Sequence, residues 1–124
     1  MSQTEVQFPE MRERVISAVR HLSDTQYQRK VWLNRDYPHA GYYDDFTLTF
    51  NSLQDTAVLD DTVAAIGITL TSAAEAAAMQ HLADQLEEIL DTVGGQAPDS
   101  AFLASPLWNR VVDAAQQALK AMSQ

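Results

Sequence analysis

Residues 36 to 46 read DYPHAGYYDDF, eleven positions that hold three tyrosines, one histidine and three aspartates with no lysine or arginine. Three chemistries can be built from such a set. His39 with Asp44 or Asp45 offers a nitrogen and carboxylate oxygens, the donors of a metal-assisted hydrolase. The adjacent pairs Asp44-Asp45 and Asp60-Asp61 are the residue types used for acid–base catalysis. Tyrosines flanked by aspartates also suit recognition of a surface that is both apolar and positively charged.

Spacing separates these possibilities. His21 and His81 lie far from His39, and no His-x-x-x-His or Glu-x-x-His pair places two ligands on one helix face. No twelve-residue calcium loop, Gly-x-Ser-x-Gly elbow, phosphate loop or dinucleotide fingerprint is present. Adjacent aspartates at a loop-to-helix junction ordinarily serve as caps and solvated charge. The residues therefore point to no catalytic group, no metal and no cofactor. The set expected to bind a partner is Asp36, Tyr37, His39, Tyr42, Tyr43, Asp44, Asp45, Asp60 and Asp61.

Charge sharpens that expectation. The chain carries 8 basic and 17 acidic residues, a formal net charge of −9, which disfavours nucleic acid and anionic membrane as direct ligands. Basic residues cluster early: Arg12, Arg14, Arg20, Arg29, Lys30 and Arg35 precede a stretch from 36 to 109 with no lysine or arginine. That stretch holds twelve acids, and its field favours something positive. Cysteine is absent, so disulfides and thiolate metal sites are excluded. With no signal-like N-terminus and no membrane-length apolar run, the reading is a soluble cytoplasmic protein.

The elements that would position these residues are mostly helical. Pro9 suits a first helical position, and Phe8, Met11, Val15, Val19 and Leu22 follow as an apolar stripe. Ser23-Asp24-Thr25-Gln26 has the form of a capping box for a second helix, which Asp36-Tyr37-Pro38 should end. Trp32 is expected in the core. Asp44 or Asp45 can cap residues 46 to 54, for which helix is favoured over strand. Ile66, Ile68 and Leu70 alternate, so a short extended element is expected near 66–70. Ser72-Ala73-Ala74-Glu75 opens the clearest helix, with the stripe Ala78, Leu82, Leu86, Ile89 and Val93 and a stop at Gly94-Gly95. Ser105-Pro106 opens the last, with the stripe Leu107, Val111, Ala115, Ala118 and Met122. The expectation is one mainly α domain over 1–124, a bundle of four or five helices.

The run Tyr37-Pro38-His39-x-Gly41-Tyr42-Tyr43-Asp44-Asp45, preceded by Tyr27 and Val31-Trp32 and followed by Asp55, Asp60-Asp61, Phe102-Leu103, Pro106 and Trp108, resembles a family of small acidic bacterial proteins without established enzymology. The likeness spans most of the chain. Part of it is also similar to immunity proteins encoded beside bacterial toxins, including those of contact-dependent growth inhibition. That resemblance implies a stoichiometric inhibitor covering the active site of a basic toxin domain, such as a nuclease, and no catalytic residue. Two other readings stay open: a regulatory or oligomer-forming α-domain, and the metal-assisted hydrolase built on His39. The oligomeric state is open as well.

Overall fold

The fold is taken from a computed structural model that describes residues 6–123. The first five residues, part of the N-terminal stretch read above for a signal segment, lie outside it. Helix α1 spans Pro9–Ser23 and carries proline in its first turn, with Glu10 there and Arg20 and His21 in its last turn. Both signs oppose the helix dipole favourably. Val15, Val19 and Leu22 are buried as their spacing predicts, whereas Phe8 ahead of them is exposed.

The second helix starts one residue later than the capping-box reading. Asp24, not Ser23, is the cap: its carboxylate accepts from the Tyr27 N–H at 3.0 Å, while the Ser23 hydroxyl donates back to the Arg20 carbonyl. Carboxylate and hydroxyl are both good caps, and here the aspartate carries the extended backbone a cap requires. Helix α2, Thr25–Tyr27, passes directly into a π-helical segment, Gln28–Leu33, in which the Asn34 N–H reaches the Arg29 carbonyl. This segment turns Gln28, Val31 and Trp32 inward. Gln28 is fully enclosed and fully used: its amide nitrogen donates to the His21 and Leu22 carbonyls at the end of α1, and its oxygen accepts from the Trp108 indole at 2.9 Å.

Residues 46 to 55 are helical. Helix α3 spans Phe46–Asp55, and Asp45 caps it by accepting from the Leu48 N–H at 2.7 Å. The 66–70 region has an isolated bridge between Ile66 and Leu70, and no strand occurs among the described residues. Ser72 caps α4, Ala73–Val93, and Gly94 ends it with a positive φ that glycine adopts freely. A short helix that periodicity alone did not resolve, α5 at Asp99–Ala104, precedes α6, Trp108–Met122. Ser105 and Pro106 form the turn before α6, with the Ser105 hydroxyl accepting from the Leu107 N–H. The architecture is thus the expected mainly α bundle, with six α-helices among the described residues once the short α2 and α5 are included.

Packing runs in a chain: α4 lies along α6, α6 along α1, and α1 against α3. The core forms one cluster that includes Val19, Leu22, Trp32, Phe46, Leu82, Leu86, Phe102 and Trp108. An ion pair between half-buried Arg12 and buried Glu75 fastens another part of it. Arg12 meets Glu75 through two parallel contacts at 2.8 and 2.9 Å, and also donates to the Thr69 carbonyl. Glu75 accepts in addition from the Thr71 N–H and hydroxyl. Burial pushes the Glu75 carboxyl up, but Arg12 and Thr71 outweigh it and hold it below its ordinary value.

Candidate functional site

The stretch from 36 to 46 joins the π-helical segment to α3. The turn before it depends on Arg35, which holds a left-handed conformation at φ 56° while the Asp36 N–H reaches back to the Lys30 carbonyl. A non-glycine residue in that region carries strain of roughly 1 kcal/mol or more. Gly41, at φ 88°, supplies the second reversal, where the Tyr42 N–H returns to the His39 carbonyl.

Asp44 is the anchor. Its side chain is turned inside, with the residue 7 % exposed. Trp32 Nε1 and the Tyr27 hydroxyl each donate to Asp44 Oδ2 at 2.8 Å. The Thr49 hydroxyl lies 3.0 and 3.2 Å from its two oxygens, and His21 Nδ1 lies 3.3 Å from Oδ2. Burial pushes this carboxyl up, yet the hydrogen bonds from His21, Trp32, Tyr27 and Thr49 more than offset it and hold it below the ordinary range. The Tyr27 hydroxyl, with its proton given to Asp44, is left to accept from the Tyr42 hydroxyl. Burial, Tyr42 and Asp44 all raise the Tyr27 phenol well above its usual value. His21 stacks on Tyr27 with ring centroids 4.1 Å apart.

This placement corrects the expected binding set in one respect. Asp44 presents no free charge to a partner, because four polar groups, one each from α1, α2, the π-helical segment and α3, surround its carboxylate. It also breaks up the histidine–aspartate pair imagined for a metal. His21, not His39, approaches Asp44, while His39 is exposed and contacts the neighbouring Ala40 carbonyl. The described residues contain no group of three metal-ligating side chains.

The other members divide by exposure. Tyr42 is half-buried through its contact with Tyr27, and Tyr43 beside it points outward, 55 % exposed. The two adjacent rings therefore face different ways. The Tyr43 hydroxyl donates to Asp45, and that bond, burial and the Asp45 charge push its phenol up to about 12. Tyr37 is half-buried, its ring about equally near those of Tyr42 and Tyr43. Asp36 is exposed, as are Asp60 and Asp61 on the connection after α3. Asp61 Oδ1 accepts from the Ala64 N–H at 3.1 Å, so it closes a local turn.

Tyr43 and Asp45 border an open groove of about 340 Å³. Its other walls include Leu33, Tyr37, Arg35 and Asp99. Leu33, Arg35 and Asp99 escaped the sequence reading. Arg35 stands immediately before the acidic stretch yet shares the groove with its aspartates. Asp99 comes from α5, where its Oδ2 accepts from the Phe46 N–H at 3.1 Å and so caps α3 from a distance of 53 residues. Burial and the charges of Asp45 and Asp44 raise the Asp99 carboxyl against that hydrogen bond.

Residues 6–124 match the family model described as a domain of unknown function, DUF7945. The chain belongs to this family. Nothing among curated proteins or solved structures matches it. The DUF7945 match takes in the whole Asp44 network, since His21, Tyr27, Trp32, Tyr42 and Thr49 all fall within it. Among the described residues of this DUF7945 chain, no helix is long and apolar enough to cross a membrane.

Proposed function

We propose that this chain is a stoichiometric binding protein for a basic protein partner, and that the partner is a toxin domain whose active site it covers. The observation that carries the reading is the mounting of Tyr43. An exposed aromatic with a carboxylate beside it stands on backbone that the buried Asp44 fastens to four elements of the fold. Such a side chain loses little freedom on binding, which favours its use as an anchor. The net charge of −9 supplies long-range attraction toward a basic surface. A nuclease channel fits that description, with carboxylates taking positions that phosphates would occupy. The chain then acts without catalysis, in the cytoplasm of the cell it protects.

The test is genetic and direct. The protein encoded by the adjacent reading frame is expressed in a bacterial host alone and together with this chain. Growth arrest alone and recovery on co-expression support the reading. An adjacent product that is acidic and harmless removes it.

One feature favours a second reading, a domain that associates with itself. Phe8, Val63 and Ile68 are all large exposed hydrophobics, and the Phe8 N–H donates to the Ile68 carbonyl at 3.0 Å, which puts two of them side by side. Sedimentation equilibrium at micromolar concentration separates the readings: a dimer dispersed by Phe8→Ser favours self-association.

A further inference from the structure

The packing order leaves one seam open. Helices α4, α6, α1 and α3 pack in sequence, but α3 and α4 are not close-packed on each other. Between them runs a trough of about 470 Å³. Half-buried Phe50, Leu59 and Leu90 give its floor a narrow apolar strip over the buried Leu86, while most of its exposed lining is polar. Its rim carries Asp60 from the connection and Asp84, Glu87 and Asp91 from α4, and no lysine or arginine lines it.

The rim acids are not committed to other charges. Glu88, on another face of α4, lies 3.8 Å from Arg110, whereas Asp84, Glu87 and Asp91 have no ion pair among the described residues. Gln80 donates to Asp84 Oδ1 at 3.0 Å, which uses one oxygen of that carboxylate. Asp84, Glu87 and Asp91 follow spacings of three and four, so they form a row along one face of α4. From Gln80 to Asp91 that face runs about 16 Å, some three helical turns.

We infer that this trough is a docking site for a basic amphipathic helix of the protein partner. The floor would take the apolar stripe of that helix, and lysines or arginines flanking the stripe would meet the row of carboxylates. Charge decides the chemistry of the occupant. An acidic or neutral helix would leave the carboxylates unmatched, and a second copy would meet them only through its exposed basic residues between Arg14 and Arg35. Concentration-dependent self-association of the free chain, lost in the triple variant described below, would reveal that arrangement in place of the partner helix. The inference rests on the reading of a basic protein partner and adds a contact separate from the Tyr43 loop.

The probe is a synthetic amidated peptide of leucine and lysine at helical spacing, labelled for fluorescence anisotropy. The full chain is expected to bind it, with amide shifts on α3 and on α4 from Gln80 to Asp91. The triple variant D84N/E87Q/D91N should weaken it by about tenfold or more at low salt. Because all three positions are exposed, circular dichroism should show an unchanged fold. Peptides with lysine replaced by glutamate, or with the same residues scrambled out of helical spacing, should not bind. Equal binding by the scrambled peptide, equal binding by the triple variant, absence of binding, or shifts confined to the Tyr43 loop would each overturn the inference. Failure here is distinct from failure of the proposed function. Tyr43→Ala should leave the peptide unaffected, and the triple variant is judged without the natural partner.

Discussion

The Trp32 indole donates to Asp44 Oδ2 at 2.8 Å across twelve residues of sequence, and this bond ties the acidic loop to the core. One aspartate of an adjacent pair is thereby structural, and the other, Asp45, caps α3 and stands at the surface. The two should respond differently to substitution.

Asp44→Ala leaves Trp32 Nε1, the Tyr27 hydroxyl and the Thr49 hydroxyl without their acceptor. It should cost roughly 3 kcal/mol, since unsatisfied buried donors are expensive. Asp45→Asn keeps the cap and should cost only a few tenths of a kcal/mol. Urea unfolding followed by tryptophan fluorescence measures both. Equal midpoints for the two variants would show that the network does not hold the loop.

The carboxyls predict opposite dependences on pH. Asp44 and Glu75 are depressed in the folded state, so their stabilisation is present above the unfolded values near 4 and is lost as pH falls through the lower folded ones. Stability should therefore drop in acid below about pH 4. Asp99 is raised, so its contribution is present when protonated and is lost as pH rises through the folded value. Asp99→Asn keeps an oxygen for the Phe46 N–H and should make the protein as stable as the parent or more so at pH 7. That advantage should vanish near pH 3. A variant less stable than the parent at pH 7 would contradict this.

Arg12 is half-buried and Glu75 buried, so removing Arg12 strands a buried carboxylate. Arg12→Leu should destabilise by about 3–5 kcal/mol, whereas the double variant R12L/E75L should recover much of that loss. A double variant as unstable as the single one would show that Glu75 matters through Thr71 rather than through Arg12.

The α4 stripe gives a control on the core. Leu86 is 1 % exposed and Leu86→Ala should cost about 2–5 kcal/mol. Glu87, its exposed neighbour, should cost within about 0.5 kcal/mol on replacement by alanine.

Much of the bundle was legible because its signals are local. The stripe Leu82, Leu86 and Ile89 repeats at helical spacing, Ser72 stands at the right offset from Glu75, and both show in the α4 helix. Adjacency of Tyr42 and Tyr43 implies that they point different ways, but which one faces out is set by the contact of Tyr42 with Tyr27. The role of Asp44 was hidden because its partners come from α1, α2, the π-helical segment and α3, and no spacing links His21 to Asp44. Asp24 and Ser23 are both cap residues, so which one acted depended on backbone geometry. The cap that Asp99 gives Phe46 is tertiary and left no local mark. Asp84, Glu87 and Asp91 were visible as acids, but the open seam that sets them around a narrow apolar strip exists only once α3 and α4 are placed.

The most direct test of the central claim is surface plasmon resonance against the basic toxin domain proposed as the partner, once the co-expression test has identified it, at low and physiological salt. Tyr43→Ala should mainly speed dissociation, weakening binding by about 2 kcal/mol. Asp45→Asn should slow association and flatten its salt dependence while the dissociation rate changes little. If both variants bind like the parent at both salts, the loop from Asp36 to Phe46 is a structural corner and the claim is wrong.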